Sequence, residues 1–492
     1  MNLDPNLCYR TLLSRDRRFD GWFYVAVSST GIYCRVVCPV RPPKRENCSY
    51  FPTPAAAEKA GFRPCLRCRP ELAPGNGLLD ASSQLAHAAA TLITEGFLND
   101  ANLADLANRV GVTERHLRRI FAAAYGVSMI EFAQTQRLLL AKRLLTDTTL
   151  PLAMVASTAG FGSVRRFNDL FVSRYGLNPL RLRKTSSTGT STSTSTSTST
   201  GVSDHLRFTL GYRPPFSWPG VLAFLSRRAI SSVEHVDNEV YSRAVELKSG
   251  SARVAAWISV RDVPQRHAIE VTVPLALAPV IGQVLGRVSR LFDLSARPDL
   301  IDAQLGELAA DMPGMRVPGA FDGFEIAVRA IAGQQLSAPN ARSVLARIAV
   351  RFGTGIADAP GNISTAFPSA EALAALPVSS LSDLGMTAAR AEAVIELAEE
   401  VASGRVLLEP MAPLDATLAA LRRIRGVGES TVQTIAMRAL AWPNAFPEGD
   451  AVLRRQLNQP GLSALRRHAT RWEPWRAYAT LHIWRHSEEH YS

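Results

Sequence analysis

Residues 185–200 read TSSTGTSTSTSTSTST, and no side chain in that run can build a hydrophobic core. Such a tract is a flexible spacer. It divides the 492-residue chain into two parts, each of which must bury its own apolar surface. The length predicts three or four domains, and a composition that is 47% hydrophobic predicts globular ones. The N-terminus lacks a charged segment followed by an apolar one, and no run of 18 apolar residues occurs. Both points argue against secretion and against a membrane span, so a cytoplasmic protein is expected.

The net charge of +12 is unevenly placed. Residues 1–200 carry 25 Lys+Arg against 14 Asp+Glu, whereas residues 201–492 carry 30 against 29. A basic half of this kind predicts a polyanionic partner, most simply DNA. Within the near-neutral half, residues 421–492 are basic again, with 11 Arg and 6 acids.

All six cysteines lie within residues 8–68. Cys34 and Cys38 form a C-x3-C pair, and Cys65 and Cys68 a C-x2-C pair. That layout suits one tetrahedral zinc site with four thiolates. Spacing leaves open whether the zinc is structural or activates a thiolate nucleophile. Cys8 and Cys48 fit no ligand pair and read as small hydrophobes. Arg35, Arg41, Arg45, Arg63, Arg67 and Arg69 are expected to bring a phosphate close.

The stretch FYVAVSSTGIYCRVVCPVRPPKRENCSYF, followed by AGFRPCLRCRP, resembles the zinc domain of the Ada family of methylation-damage regulators. The resemblance implies that Cys34 accepts a methyl group from a DNA methyl phosphotriester, and that Cys34, Cys38, Cys65 and Cys68 hold one Zn²⁺. Val36 stands where proline is usual in that family, and Cys48 where an aliphatic is usual.

From Asp80 to Lys184 the pattern is helical. Leu103–Gly111 predicts a short helix ending at glycine, and Thr113 can cap a basic helix over Glu114–Phe121. The pattern recurs as Leu152–Gly160, followed by Ser163 before Arg165 and Arg166. Each copy alone reads equally as a helical hairpin; two basic copies favour tandem helix-turn-helix motifs. The segment AGFGSVRRFNDLFVSRYGLNPLRLRK resembles the AraC-type DNA-binding domain. That resemblance implies DNA contacts from Arg115, Arg118, Arg165 and Arg166, with promoter DNA and RNA polymerase as partners of a nucleoid-associated bacterial activator.

In the second half, residues 253–260 and 268–273 alternate like strands, and the chain from about Phe321 onward reads as helical. Leu421–Thr431 places Gly426 and Gly428 between two helices, where backbone amides can approach a phosphate. Asp450 precedes a helical stretch and reads as an N-cap or as a functional carboxylate, with Glu448 second. YRPPFSWPGVLAFL, SRLFDL, GFEIAVRAIAGQQLS, LGMTAARAEA and EPWRAYATLHIW resemble the AlkA branch of helix-hairpin-helix glycosylases, which excise 3-methyladenine. The resemblance implies that Asp450 is catalytic and that Phe224, Trp484, Ser430 and Thr434 fall at base-pocket positions. It also implies that Gln335, with Leu336, wedges into DNA. Ser430 and Thr434 replace aromatic residues of well-known members. Ser430 also stands where bifunctional members carry a Schiff-base lysine, and no lysine follows Lys248. No cysteine follows Cys68, so no iron–sulfur cluster is expected there.

The expected architecture is multidomain. A small α/β zinc-binding domain spans 1–77, and an all-α AraC-type tandem helix-turn-helix domain spans 80–184. A Ser/Thr-rich linker over 185–204 leads to an α/β (TBP-like) domain over 205–318 and an all-α helix-hairpin-helix glycosylase domain over 319–492. The expected function joins methyl-phosphotriester sensing and transcription activation to a monofunctional glycosylase. The alternative is a DNA-binding regulator with a structural zinc and an inactive glycosylase fold.

Overall fold

The computed structural model describes residues 3–75, 84–187, 204–334, 338–410, 412–458 and 461–489. Most of the expected linker, and the wedge expectation at Gln335 and Leu336, lie outside the described residues. No helix among the described residues is long and apolar enough to cross a membrane.

Residues 3–75 build a four-stranded sheet in the order Cys48–Phe51, Tyr24–Val27, Ile32–Arg35, Arg63–Pro64. The first three strands pair antiparallel and the last pairs parallel. Tyr24–Val27 is buried at every position, so its two faces feed two small cores. One holds Cys8, Leu12, Phe23, Val25 and Val36; the other holds Tyr24, Ala26, Tyr33 and Ala57. Cys8 behaves as the small core residue expected. Cys48 is only half-buried, and its thiol donates to the Lys44 carbonyl instead.

The helix-turn-helix expectation holds in both copies. Helix Leu103–Val110 opens with an Asn102–Asp105 capping box and ends at Gly111, whose φ of +82° suits a residue without Cβ. Thr113 caps Glu114–Tyr125, which runs one turn beyond the expected Phe121 before Gly126 stops it. The second copy pairs Leu152–Thr158 with Val164–Tyr175, capped by Ser163. Helix Met129–Asp147 joins the two copies.

Glu58 ties the cysteine-bearing sheet to these helices. Its carboxylate accepts from the hydroxyls of Tyr33 (3.0 Å), Thr135 (3.0 Å) and Tyr175 (3.4 Å). Burial pushes the carboxyl up to about 7, against the opposing pull of the Thr135 and Tyr33 hydrogen bonds. The folded protein therefore holds a proton that the unfolded chain has lost above its ordinary value of 4.5. Stability should fall as pH rises from there through about 7. Calorimetry at pH 5 and pH 8 checks this: Glu58→Gln is expected to shrink the pH shift of the transition containing this domain, and an unchanged shift refutes it.

Residues 205–274 carry a five-stranded sheet in the order His205–Gly211, Ala268–Pro274, Ala252–Val263, Val240–Ser249, Glu234–Asp237. The two expected strands thus exist and are longer than their alternation suggested. Arg143, on Met129–Asp147, donates to the Thr209 carbonyl and lies 5.3 Å from the centre of the Phe208 ring. The segments flanking the Ser/Thr tract therefore touch. Past Phe321 the regular structure among the described residues is helical apart from a short ladder of Thr354–Gly355 with Thr365–Ala366. Two compact units result: residues 1–212 with 248–254 and 263–286, and residues 213–247 with 255–262 and 287–492.

Candidate functional site

The thiol cluster forms where strand Ile32–Arg35 meets the loop after Arg63–Pro64. The Cys65 amide donates to the Tyr33 carbonyl (3.0 Å), which fixes the second cysteine pair against the first. The Sγ atoms of Cys34, Cys38, Cys65 and Cys68 all lie within 4.8 Å of one another, and all four residues are buried. Four sulfurs at about 2.3 Å from a tetrahedral zinc stand about 3.8 Å apart, so the arrangement fits one Zn²⁺. The Cys34 thiol donates to the sulfurs of Cys38, Cys65 and Cys68, and this, together with burial, pushes it far above its usual range, while Cys65, as an acceptor, is held far below.

The surrounding arginines divide in a way that composition could not reveal. Arg35 donates to Asp20 through Nε (2.9 Å) and to the Cys68 carbonyl, while its backbone amide faces Cys68 Sγ at 3.4 Å. Arg69 pairs with Glu71 and Asp147, and Arg45 bonds Asn6. These three brace the fold instead of waiting for phosphate. Arg41 and Arg67 remain exposed.

Arg115, Arg118, Arg165 and Arg166 are all exposed near the starts of the two capped helices. Arg118 pairs with Glu114 four residues earlier (2.8 Å), a surface contact weak enough to yield to a phosphate.

In the second unit, helix Leu414–Arg423 turns through Gly426 into Glu429–Arg438. Gly426 has φ +83° and Gly428 caps the second helix. Both are exposed, and nothing lies within 4 Å of where a Cβ would stand on either. The hairpin tip is therefore open to a close-approaching backbone. Arg422 pairs with Glu429 (2.8 Å).

Asp450 is the helix cap that one of its two readings expected. Its Oδ1 accepts from the Leu453 amide (2.9 Å), capping helix Ala451–Gln456, and from Trp484 Nε1 (3.2 Å). Oδ2 takes neither bond. Glu448 is held by Arg466. A Cβ on Gly449 would lie 3.2 Å from that of Ser430, so the small residue at 430 sits against the Asp450 loop. Thr434, one turn on, bonds the Ser430 carbonyl (2.9 Å). Phe224 approaches the same place through Arg228, whose Cζ is 3.9 Å from its ring centre and 5.9 Å from that of Trp484. Sequence reading missed Arg228, although a cation four residues after an aromatic was visible as a helical pair. It also missed Gln334, whose amide donates to Thr431 (2.7 Å) at the foot of the hairpin.

Family models match in chain order. Residues 7–71 match the metal binding domain of Ada, 106–185 a helix-turn-helix domain, 207–322 the AlkA N-terminal domain, and 328–471 the HhH-GPD superfamily base excision DNA repair protein. A Mycobacterium tuberculosis relative, a probable bifunctional transcriptional activator/DNA repair enzyme AlkA, is 34% identical over 98% of this chain and 97% of its own length. The chain belongs to that family of bifunctional transcriptional activator/DNA repair enzymes. Two shorter relatives divide the family's parts. The Escherichia coli DNA-3-methyladenine glycosylase 2 is 36% identical over 56% of this chain and 96% of its own length. The Bacillus subtilis bifunctional transcriptional activator/DNA repair enzyme AdaA is 31% identical over 36% of this chain and 82% of its own. This member of the family thus carries a multidomain fold with a zinc-binding domain, helix-turn-helix motifs, a sheet domain and a helical glycosylase domain.

Proposed function

We propose that this chain senses DNA alkylation by moving a methyl group from a DNA methyl phosphotriester to Cys34. The methylated protein then activates transcription, while a second active centre excises alkylated purines such as 3-methyladenine. One observation carries the reading: a buried four-thiol cluster and an Asp450 carboxylate that accepts from Trp484 Nε1 occur in one chain, together with exposed arginines on two capped helices.

In the first reaction, Cys34 Sγ attacks the methyl carbon; the S–C bond forms and the C–O bond of the triester breaks. The phosphate recovers its negative charge and the sulfur becomes a neutral thioether. A bound Zn²⁺ supplies the charge that keeps the ligand sulfurs deprotonated. Cys34, Cys38, Cys65 and Cys68 would hold it, with Cys34 also the acceptor. Arg41 and Arg67 are the exposed cations nearest in sequence to the ligands and suit the flanking phosphates. Losing one negative charge at the cluster lowers its repulsion of DNA. Methylated protein is therefore expected to bind DNA more tightly, with a steeper salt dependence by roughly one phosphate contact. Titrations at several salt concentrations check this, and identical curves for both forms count against it.

In the second reaction, the flipped base is held by Phe224 and Trp484, with Ser430 and Thr434 leaving room beside them. The N-glycosidic bond breaks with its electron pair leaving on the base. Asp450 stabilises the oxocarbenium-like sugar while water adds. No lysine stands where a Schiff base would form, so the chemistry stops at base release.

Double-stranded DNA is the partner of both halves. RNA polymerase is the expected partner of the activated form, and the bacterial cytoplasm, at the nucleoid, its location. The deciding experiment exposes the full chain to methylated DNA, then measures intact protein mass and released 3-methyladenine. One added methyl group and base release support the reading. Neither change would leave a DNA-binding regulator with a structural zinc.

A further inference from the structure

Two side chains of helix Glu429–Arg438 hold the loop that carries Asp450. Ser430 meets the loop near its end, where a Cβ on Gly449 would lie 3.2 Å from its own. Gln433, three residues on and so a neighbour on the helix surface, meets the loop at its start. Its Oε1 accepts from the Phe446 amide (3.2 Å). Between these points the loop is short and bonded to itself. The Glu448 amide donates to the Phe446 carbonyl (2.9 Å), and the Asp450 amide to the Pro447 carbonyl (2.8 Å). Phe446 is buried, with Arg476 Cζ 6.0 Å from its ring centre. A shift of the Phe446 backbone therefore passes through two backbone hydrogen bonds to Asp450.

The Gln433 carboxamide can sit only one way round. Its Nε2 donates to Glu429 Oε1 (2.9 Å). Glu429 also accepts from Arg422 Nε (2.8 Å) and Nη2 (2.9 Å). Those Arg422 bonds, against the opposing pull of burial, hold the Glu429 carboxyl down to about 2, so it stays an acceptor. A backbone amide can only donate, which leaves the Gln433 nitrogen to Glu429 and its oxygen to Phe446. Arg422 and Glu429 stand on either side of the hairpin tip at Gly426 and Gly428. One line of hydrogen bonds thus runs from the two arms of the hairpin, through Gln433, to the start of the Asp450 loop.

We infer that Gln433 is a positioning residue for base excision: it holds the Asp450 loop in register with the hairpin, so that DNA seated on the hairpin presents its sugar to the carboxylate. A small misplacement of a reacting group is costly to rate while leaving binding intact. The inference rests on the assignment of Asp450 to catalysis.

The test uses the full chain, with single-turnover release of 3-methyladenine from methylated DNA, affinity for a duplex holding a stable abasic-site analogue, and thermal unfolding. Gln433→Leu keeps the size of the side chain and removes both of its bonds. It is expected to slow release roughly tenfold, the size of one lost hydrogen bond, with duplex affinity and melting temperature near the parent's. A merely structural bond predicts the reverse, a lower melting temperature at the parental rate. The exchange of Glu429→Gln with Gln433→Glu reverses donor and acceptor: the amide now at 429 donates to the carboxylate now at 433, whose other oxygen accepts from Phe446. That double variant is expected to recover most of the rate. A parental rate in Gln433→Leu, or an exchange variant as slow as Gln433→Leu, overturns the inference. Asp450→Asn in the same assay reads the catalytic assignment separately. A parental rate there removes the assignment and the inference with it, whereas slow release by Asp450→Asn beside a parental rate in Gln433→Leu removes the inference alone.

Discussion

Replacing Asp450 with asparagine should lower 3-methyladenine release by roughly 10²- to 10³-fold, the usual cost of removing a preorganised charge at a transition state. The fold should survive. Both hydrogen bonds to this side chain, from the Leu453 amide and from Trp484 Nε1, fall on Oδ1. An asparagine oxygen at that position keeps both, and asparagine caps a helix about as well as aspartate. The amide nitrogen then takes the place of Oδ2. Asp450→Asn therefore removes the charge and little else, whereas Asp450→Ala also loses the cap, at about 1 kcal/mol. Single-turnover release from methylated DNA, with thermal unfolding beside it, measures both parts. Excision by Asp450→Asn at the parental rate would show that the carboxylate is only a cap.

Removing zinc should have the largest effect on folding. The cores of residues 3–75 are small clusters of four or five buried side chains, besides the four cysteines themselves. A domain of this size leans on its metal, and structural zinc sites contribute on the order of 10 kcal/mol. Chelation, or Cys38→Ala, is expected to make this segment of the full chain sensitive to protease and to end methyl transfer. Cys34→Ser should differ. It retains three thiolate ligands and an oxygen, so the segment is expected to stay protected when zinc is supplied in excess. Its mass should nevertheless remain unchanged on methylated DNA. Protease resistance after complete chelation would refute the folding claim. A methyl gained by Cys34→Ser would move the acceptor elsewhere.

Much of this protein was legible because its chemistry is local in sequence. A C-x3-C and a C-x2-C pair bring sulfurs together whatever surrounds them, and Thr113, Ser163, Gly111 and Gly126 mark helix ends through their own backbone and side-chain preferences. Asp450 before Ala451–Gln456 was recognisable as a cap for the same reason. The AlkA-like stretches pointed to Phe224 and Trp484, residues 260 positions apart, only through resemblance.

What stayed hidden depends on partners far away in the chain. Arg35 and Arg69 looked like phosphate ligands beside the cysteines. They are committed instead to Asp20, and to Glu71 and Asp147, because folding brings a carboxylate within reach of each. Arg143 bonds across the Ser/Thr tract to Thr209, a contact that the tract's composition could not show because it says nothing of the surfaces at its ends. The chain's local patterns thus set the residue types, the metal's ligands and the helix caps. The assignment of Asp450 Oδ1 to structure with Oδ2 clear of those bonds, and of Arg228 to the faces of two aromatic rings, came from packing, because distances between sequence-remote side chains are properties of the folded chain alone.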